Sequence, residues 1–183
     1  MSLMSFQTAL TGDVTLRELS KDDADALADA YVRNREHLAP WEPERPEEFY
    51  TAEWHRERLW TQVLENSAGR ALYTVLESDG RIVGRLNLTD VVHGAFENGH
   101  LGYWIDAGFT GRGLMTRAVE AMVAHSRDEL GLHRLQAATL PHNTASQAVL
   151  THVGFERIGF APSYLKIAGE WQDHVVYQLI LHG

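Results

Sequence analysis

The chain has no cysteine among its 183 residues. Disulfides, thiolate nucleophiles and cysteine-based metal sites are therefore excluded. It has no apolar run of transmembrane length and no signal-peptide pattern. Proline is scarce at five residues, and three of them, Pro40, Pro43 and Pro46, fall in one short stretch. Positive charge is in deficit, with 16 Lys and Arg against 25 Asp and Glu, for a net charge of −9. That balance argues against broad nucleic-acid binding and suits a cationic substrate. These features lead us to expect a cytoplasmic protein with no direct nucleic-acid partner and no membrane partner.

What is present is an ordinary globular composition, 44% hydrophobic and 22% charged. The length suffices for one domain with a real core. No repeat, low-complexity segment or linker interrupts it. Met1–Met4 reads as a leader, and residues 1–12 as that leader plus a flexible arm. Residues 13–183 read as a single domain.

The chain is organised around Leu101–Thr116. Leu101, Tyr103 and Ile105 alternate with Gly102 and Trp104, as a pleated strand requires. Asp106-Ala107-Gly108 breaks the run. Gly111-Arg112-Gly113 then opens a stretch of helical periodicity from Leu114. A glycine-rich turn ahead of a helix leaves backbone N–H groups unpaired, with the helix dipole behind them. Such a turn holds a phosphate or pyrophosphate.

Elsewhere, Val14–Leu19 reads as a strand. Ser20 reads as the N-cap of a helix carrying Ala24, Leu27, Ala28 and Tyr31. The prolines forbid one continuous helix over residues 34–50. Thr51 caps a helix with Trp54, Leu59, Trp60, Val63 and Leu64 available for burial. Arg70–Ser78 and Ile82–Val92 form a hairpin across Asp79-Gly80. His100–Ile105 follows as a strand. Later come a strand over Arg134–Leu140, a helix over Asn143–Val153, and strands over Phe155–Phe160 and Glu170–Leu181. Ala161–Gly169 connects the last two. This order predicts an α/β (α+β) layer fold. It has a mixed, mainly antiparallel central sheet of about seven strands, flanked by about four helices.

Two blocks carry a family resemblance. Phe109-Thr110-Gly111-Arg112-Gly113-Leu114-Met115-Thr116 resembles the acyl-CoA loop of the GNAT superfamily of N-acyltransferases, whose signature is Gln/Arg-x-x-Gly-x-Gly/Ala. Thr110 stands at the Gln/Arg place, Gly113 at the central glycine and Met115 at the final small residue. Downstream, Asn143-x-x-Ser146-x-x-Val149-Leu150-x-x-x-Gly154-Phe155 resembles the pantetheine-side helix of the same superfamily. His37–Pro43 and Tyr164–Val175 are similar to the RimJ/RimL-like branch, the ribosomal-protein-alanine N-acetyltransferases.

The resemblance implies acetyl transfer from acetyl-CoA to a primary amine, with no metal. The acceptor it implies is a ribosomal-protein or other peptide N-terminus, and it leaves room for a homodimer. Thr110, Gly111, Arg112, Gly113, Leu114, Met115 and Thr116 would hold the pyrophosphate. Tyr103, Trp104 and Ile105 would carry the pantetheine arm along their strand, and Asn143 would meet its sulfur end. Many relatives place a Tyr where this chain has Leu150. Ser146 is then the candidate acid for the departing thiolate, or simply a small polar residue near a helix start. Glu97 is either a general base acting through water or a solvated turn residue. Trp41, with Glu42, Glu44, Glu47 and Glu48, would wall the acceptor site, or Trp41 would anchor in the core. Tyr164 would flank the acceptor groove. Asp173 and His174, as strand neighbours, point to opposite faces and cannot share a site without a bulge. A small-molecule amine acetyltransferase and a non-catalytic CoA-binding sensor are the competing readings.

Overall fold

The computed structural model describes residues 6–182. Eight strands form one sheet in the order β1-β2-β3-β4-β5-β6-β8-β7. They are β1 (Gln7–Thr11), β2 (Val14–Glu18), β3 (Leu72–Ser78), β4 (Arg81–Val92), β5 (Asn98–Ile105), β6 (Arg134–Thr139), β7 (Glu156–Ile167) and β8 (Glu170–Ile180). Five helices flank it: α1 (Ala24–Arg33), α2 (Arg35–Leu38), α3 (Ala52–Ser67), α4 (Leu114–Asp128) and α5 (Thr144–Val153). Neighbouring strands are antiparallel except β5 and β6, which run parallel through the α4 crossover. The mixed, mainly antiparallel sheet is the expected one, with one strand and one single-turn helix more.

The additional strand is β1. A flexible arm was expected over residues 1–12, yet Gln7–Thr11 pairs with β2 and buries Leu10. Five residues are too few for a convincing alternation, and only the β2 edge makes them a strand. The leader expected at Met1–Met4 lies outside the described residues.

The sheet carries a core on each face. Leu101, Tyr103 and Ile105 of β5 pack toward α4 and α5, with Leu114, Val119, Met122 and Leu150. Trp104 points the other way, into a cluster with Leu27 and Tyr31 of α1, Phe49 and Leu59. The period-2 alternation of β5 thus separates the two sides of the sheet.

Three local expectations change. Ser20 does not cap α1. Arg17 holds the Asp23 carboxylate through two hydrogen bonds, Asp23 accepts the Ser20 N–H at 2.7 Å, and the helix starts at Ala24. On α3, Thr51 caps as expected, but the buried residues are His55 and Leu59, while Trp60 and Leu64 are exposed. The i, i+4 pair His55 and Leu59 faces α1, and that spacing fixes the inward side. Ala161–Gly169 is no simple connector, because β7 runs on to Ile167 through an irregular register between Ala161 and Leu165. Pro162, which lacks an N–H, sits inside that irregularity, and Asp173 accepts the Ser163 N–H at 2.9 Å.

Candidate active site

The site begins where β5 and β6 part. Their pairing ends at Leu101 opposite Ala137, although β5 continues to Ile105 and β6 to Thr139. Beyond that point β5 is bonded to β4 alone, so one edge of Gly102–Ile105 lies open to an extended ligand.

Asp106 then turns the chain. Its buried carboxylate accepts from Arg33 Nε at 2.8 Å, Asn34 Nδ2 at 2.9 Å and the Gly108 N–H at 2.8 Å. Burial works to raise its pKa, but these hydrogen bonds outweigh it and hold the carboxyl below its ordinary value. The contact ties the end of α1 to the start of the loop.

Gly113 stands at the N-cap of α4 with φ +69°, and no side chain caps the helix. The first intrahelical bond is donated by Arg117, to the Gly113 carbonyl. The N–H groups of Leu114, Met115 and Thr116 are therefore free for an anion. A Ser or Asp cap would occupy one of them, and glycine also meets the left-handed conformation without strain. The side chains of Leu114 and Met115 are buried, so their part is played by backbone. Thr110 Oγ1 donates to the Ala107 carbonyl, and Arg112 donates to the Gly108 carbonyl and covers the Phe109 ring. Both side chains brace the loop.

A cavity of about 490 Å³ runs from this loop along β5 to α5. Tyr103, Trp104, Ile105, the whole run Thr110–Thr116, Asn143 and Ser146 line it. Every donor-side residue expected from the sequence thus faces one space. At its inner end Asn143 Oδ1 accepts the Ser146 N–H at 3.1 Å, capping α5. That commits the amide oxygen of Asn143 and leaves Nδ2 as the group it can offer a ligand. The Tyr103 hydroxyl lies 2.8 Å from Ser146 Oγ. Burial pushes the phenol up to about 12, against a lowering by the Ser146 hydrogen bond, so it stays protonated at neutral pH. Leu150 is fully buried and offers no proton.

A second cavity, about 420 Å³, lies across the sheet against α1 and α3. Leu38, Trp41, Tyr103, Trp104, Asn143 and Ser146 line both spaces, so the two cavities share a wall. Trp41 is 38% exposed and packs beside His142, as a wall between the two and not a core anchor. Of the acidic residues expected there, only Glu42 lines this cavity. Glu47 pairs with Arg35, and Glu44 sits beside Gly169. Burial raises the Glu42 pKa, opposed by Arg45 and by Arg85.

Two expected residues fall outside. Glu97 lies in the turn before β5, exposed, and its backbone carbonyl accepts the His133 and Arg134 N–H groups. It lines neither cavity. Six residue steps of strand separate it from Tyr103, about 20 Å at a strand's rise. The general-base role does not fit that position, and the solvated-turn reading does. Tyr164 is 41% exposed and packs on His174, which itself lines the second cavity. Tyr164 therefore supports the wall without forming it. His174 and Asp173 do serve opposite faces, one the cavity and one the β7 bulge.

Sequence reasoning missed Arg85 and His55, both buried and both lining the second cavity. An arginine flanked by Ile82, Val83, Leu86 and Leu88 in an apolar strand was the available signal. His55, four residues before Leu59, was the other.

Residues 13–156 match the family model of the acetyltransferase (GNAT) domain. The chain belongs to the GNAT acetyltransferase family. It is 37% identical to the [ribosomal protein uS5]-alanine N-acetyltransferase of Escherichia coli, over 92% of this chain and 88% of that protein. Among solved structures, the ribosomal-protein-S5-alanine acetyltransferase of Vibrio fischeri superposes with a TM-score of 0.91 at 35% identity, covering 97% of this chain and 96% of that one. Mycobacterium smegmatis RimJ in complex with CoA-disulfide gives 0.86 at 34% identity, covering 91% and 81%.

Acetyl-CoA is accordingly the co-substrate of this GNAT enzyme, and the first cavity fits it. Free N–H groups at α4 suit a pyrophosphate, and the open edge of β5 suits an extended amide-bearing arm. Among the described residues, no group of three or more His, Asp or Glu side chains is placed to hold a metal ion.

Proposed function

We propose that this GNAT enzyme acetylates the α-amine of a protein N-terminus, of the ribosomal-protein-alanine type. The observation that carries the reading is the second cavity, which is lined by Trp41 and shares Tyr103, Asn143 and Ser146 with the donor cavity. An amine entering on one side of the sheet would meet a thioester held on the other. Similarity to the Escherichia coli enzyme over nearly the whole chain supports this acceptor class.

Acetyl-CoA supplies the acetyl group as a thioester: the C–S bond breaks as the C–N bond forms, the sulfur gains a proton and the amine loses one. Ser146 is the proton donor in this reading. Tyr103 positions it. Either hydroxyl can donate across their 2.8 Å contact, and the phenol can also donate to the Ser146 carbonyl at 3.3 Å. In this reading the serine proton is released toward the sulfur when the phenol donates to Ser146 Oγ. A backbone N–H on the open edge of β5 would polarise the thioester carbonyl. Glu42 attracts the incoming ammonium and takes its proton, helped by the raised affinity for protons that burial confers.

Acetyl-CoA at about 100 times its Kd should stabilise the fold by about 2.7 kcal/mol, read as a rise in Tm. Thiol release is then followed with alanine- and serine-starting peptides against amino acids and polyamines. Turnover of peptides alone supports the reading. Turnover of small amines alone replaces the acceptor, and binding without thiol release makes the protein a sensor.

A further inference from the structure

The acceptor cavity is cationic in a protein that is anionic overall. Arg45, Arg58 and Arg85 line it against the single carboxylate of Glu42. Arg45 lies 3.4 Å from Glu42, and Arg58 reaches Glu57 and covers the Trp54 ring. Arg85 is different. It is 6% exposed, and among the described residues it has no ion-pair partner. Its Nη2 makes a long contact of 3.4 Å with Gln62 Oε1, and its Nε has no partner at all. Its charge is felt by Glu42, and its Cζ stands 6.0 Å from the Tyr73 ring centre, but neither is a hydrogen-bonded counterion. A guanidinium cannot shed its charge by deprotonating, so one buried without an ion-pair partner favours an anion beside it.

The neighbours share the deficit. Among the described residues, five of the ten buried polar side-chain atoms without a partner belong to residues of this cavity: Arg45 Nε, His55 Nε2, Arg85 Nε, Asn87 Oδ1 and Thr139 Oγ1. A folded domain leaves few such groups, and here half of them belong to side chains packed around one space.

We propose that the acceptor cavity holds an anion subsite founded on Arg85, with His55 and Thr139 as neutral partners, and that the acceptor amine carries a carboxylate close behind it. This rests on the acetyltransferase reading above and specifies its substrate. Arg85 lies opposite Trp104 in the β4–β5 ladder, one residue from Tyr103. Its root is thus one strand spacing of about 5 Å from β5, plus one residue step of about 3.3 Å. That span places the carboxylate on the second or third residue of an extended acceptor. Glu42 and Arg85 then divide the acceptor between them, Glu42 taking the ammonium and Arg85 the anion. Asn87 Oδ1 is left to accept a peptide N–H.

The experiment measures thiol release by the full chain with acetyl-CoA. The acceptors are alanine-starting peptides bearing Glu at position two or three, their Gln counterparts, free alanine and alaninamide. The expected result is a kcat/KM about tenfold to a hundredfold higher for a Glu peptide than for its Gln twin, the range of a charge-assisted hydrogen bond. Arg85→Gln should abolish that preference while keeping the acetyl-CoA-induced rise in Tm, and Arg85→Lys should restore part of it. If free alanine beats alaninamide by the same factor and the peptides show no preference, the subsite stands and its anion is an α-carboxylate. Equal rates for every acidic and neutral pair overturn the proposal, as does a preference that survives Arg85→Gln. Should Arg85→Gln fail to fold, the peptide pairs on the unaltered protein still decide. Failure of the acetyltransferase reading itself looks different, because then no amine, peptide or small, releases thiol.

Discussion

The Tyr103 hydroxyl and Ser146 Oγ lie 2.8 Å apart, one on β5 and the other on the first turn of α5. Both residues line each of the two cavities. Replacing Ser146 by Ala should lower kcat by about tenfold to a hundredfold, at the low end for general acids because a hydroxyl is a weak one. The KM for acetyl-CoA should stay within about twofold. Tyr103→Phe removes only the positioning hydrogen bond and should cost less in kcat. The double variant should fall no lower than Ser146→Ala, since the two act as one unit. Single-turnover thiol release measures all three.

Glu42→Gln retains shape and removes the proton acceptor. A loss of about tenfold or more in kcat/KM is expected near neutral pH. The loss should shrink as the pH rises, because more of the amine then arrives already neutral. A pH profile of kcat/KM for both proteins checks this, and parallel profiles would remove Glu42 from the proton path.

Gly113→Ala places a side chain at φ +69°. A Cβ there would meet open space, so the penalty is conformational, about 1–2 kcal/mol. Urea denaturation should report that loss. The acetyl-CoA-induced rise in Tm should also diminish, because the relaxed loop no longer presents the free N–H groups of α4.

His55 makes stability depend on pH. Burial, and then the positive charge of Arg85, lowers its pKa to about 4, while the unfolded side chain titrates near 6.5. Between these values the unfolded chain binds the proton and the folded chain does not. Its contribution is therefore complete above about pH 6.5 and is lost as the pH falls toward 4. Denaturation at pH 7 and pH 5 should show the drop, and His55→Gln should flatten part of it. His125, also lowered by burial, accounts for a further share in the same direction.

The donor side was readable because its chemistry is local. The alternation of Leu101–Ile105, the glycines at 111 and 113 and the helix behind them are contiguous, and backbone geometry alone makes them a strand and an anion loop. The second block, Asn143–Phe155, is likewise one cap, one helix and one C-terminal glycine. The acceptor side was misread in part because its residues come from distant strands and helices. Four acidic residues between Glu42 and Glu48 look like one wall in sequence, yet a 3-10 turn over Glu47–Tyr50 and the Arg35 contact turn most of them outward. Glu97 precedes the right strand but stands at its wrong end.

The parted strands organise both sides. A glycine-rich turn before Leu114 presents free N–H groups through φ values and helix hydrogen bonding, which a short run of residues dictates, so an anion loop was written into Leu101–Thr116, and its resemblance, with Asn143–Phe155, to the GNAT blocks named the donor. Whether β5 and β6 stay paired, which hydroxyl meets Ser146, and which charge is left without a counterion depend on residues far apart in the chain, 43 positions in the case of Tyr103 and Ser146. Those were decided only by packing, when β4 set Arg85 into the space that α1 and α3 enclose.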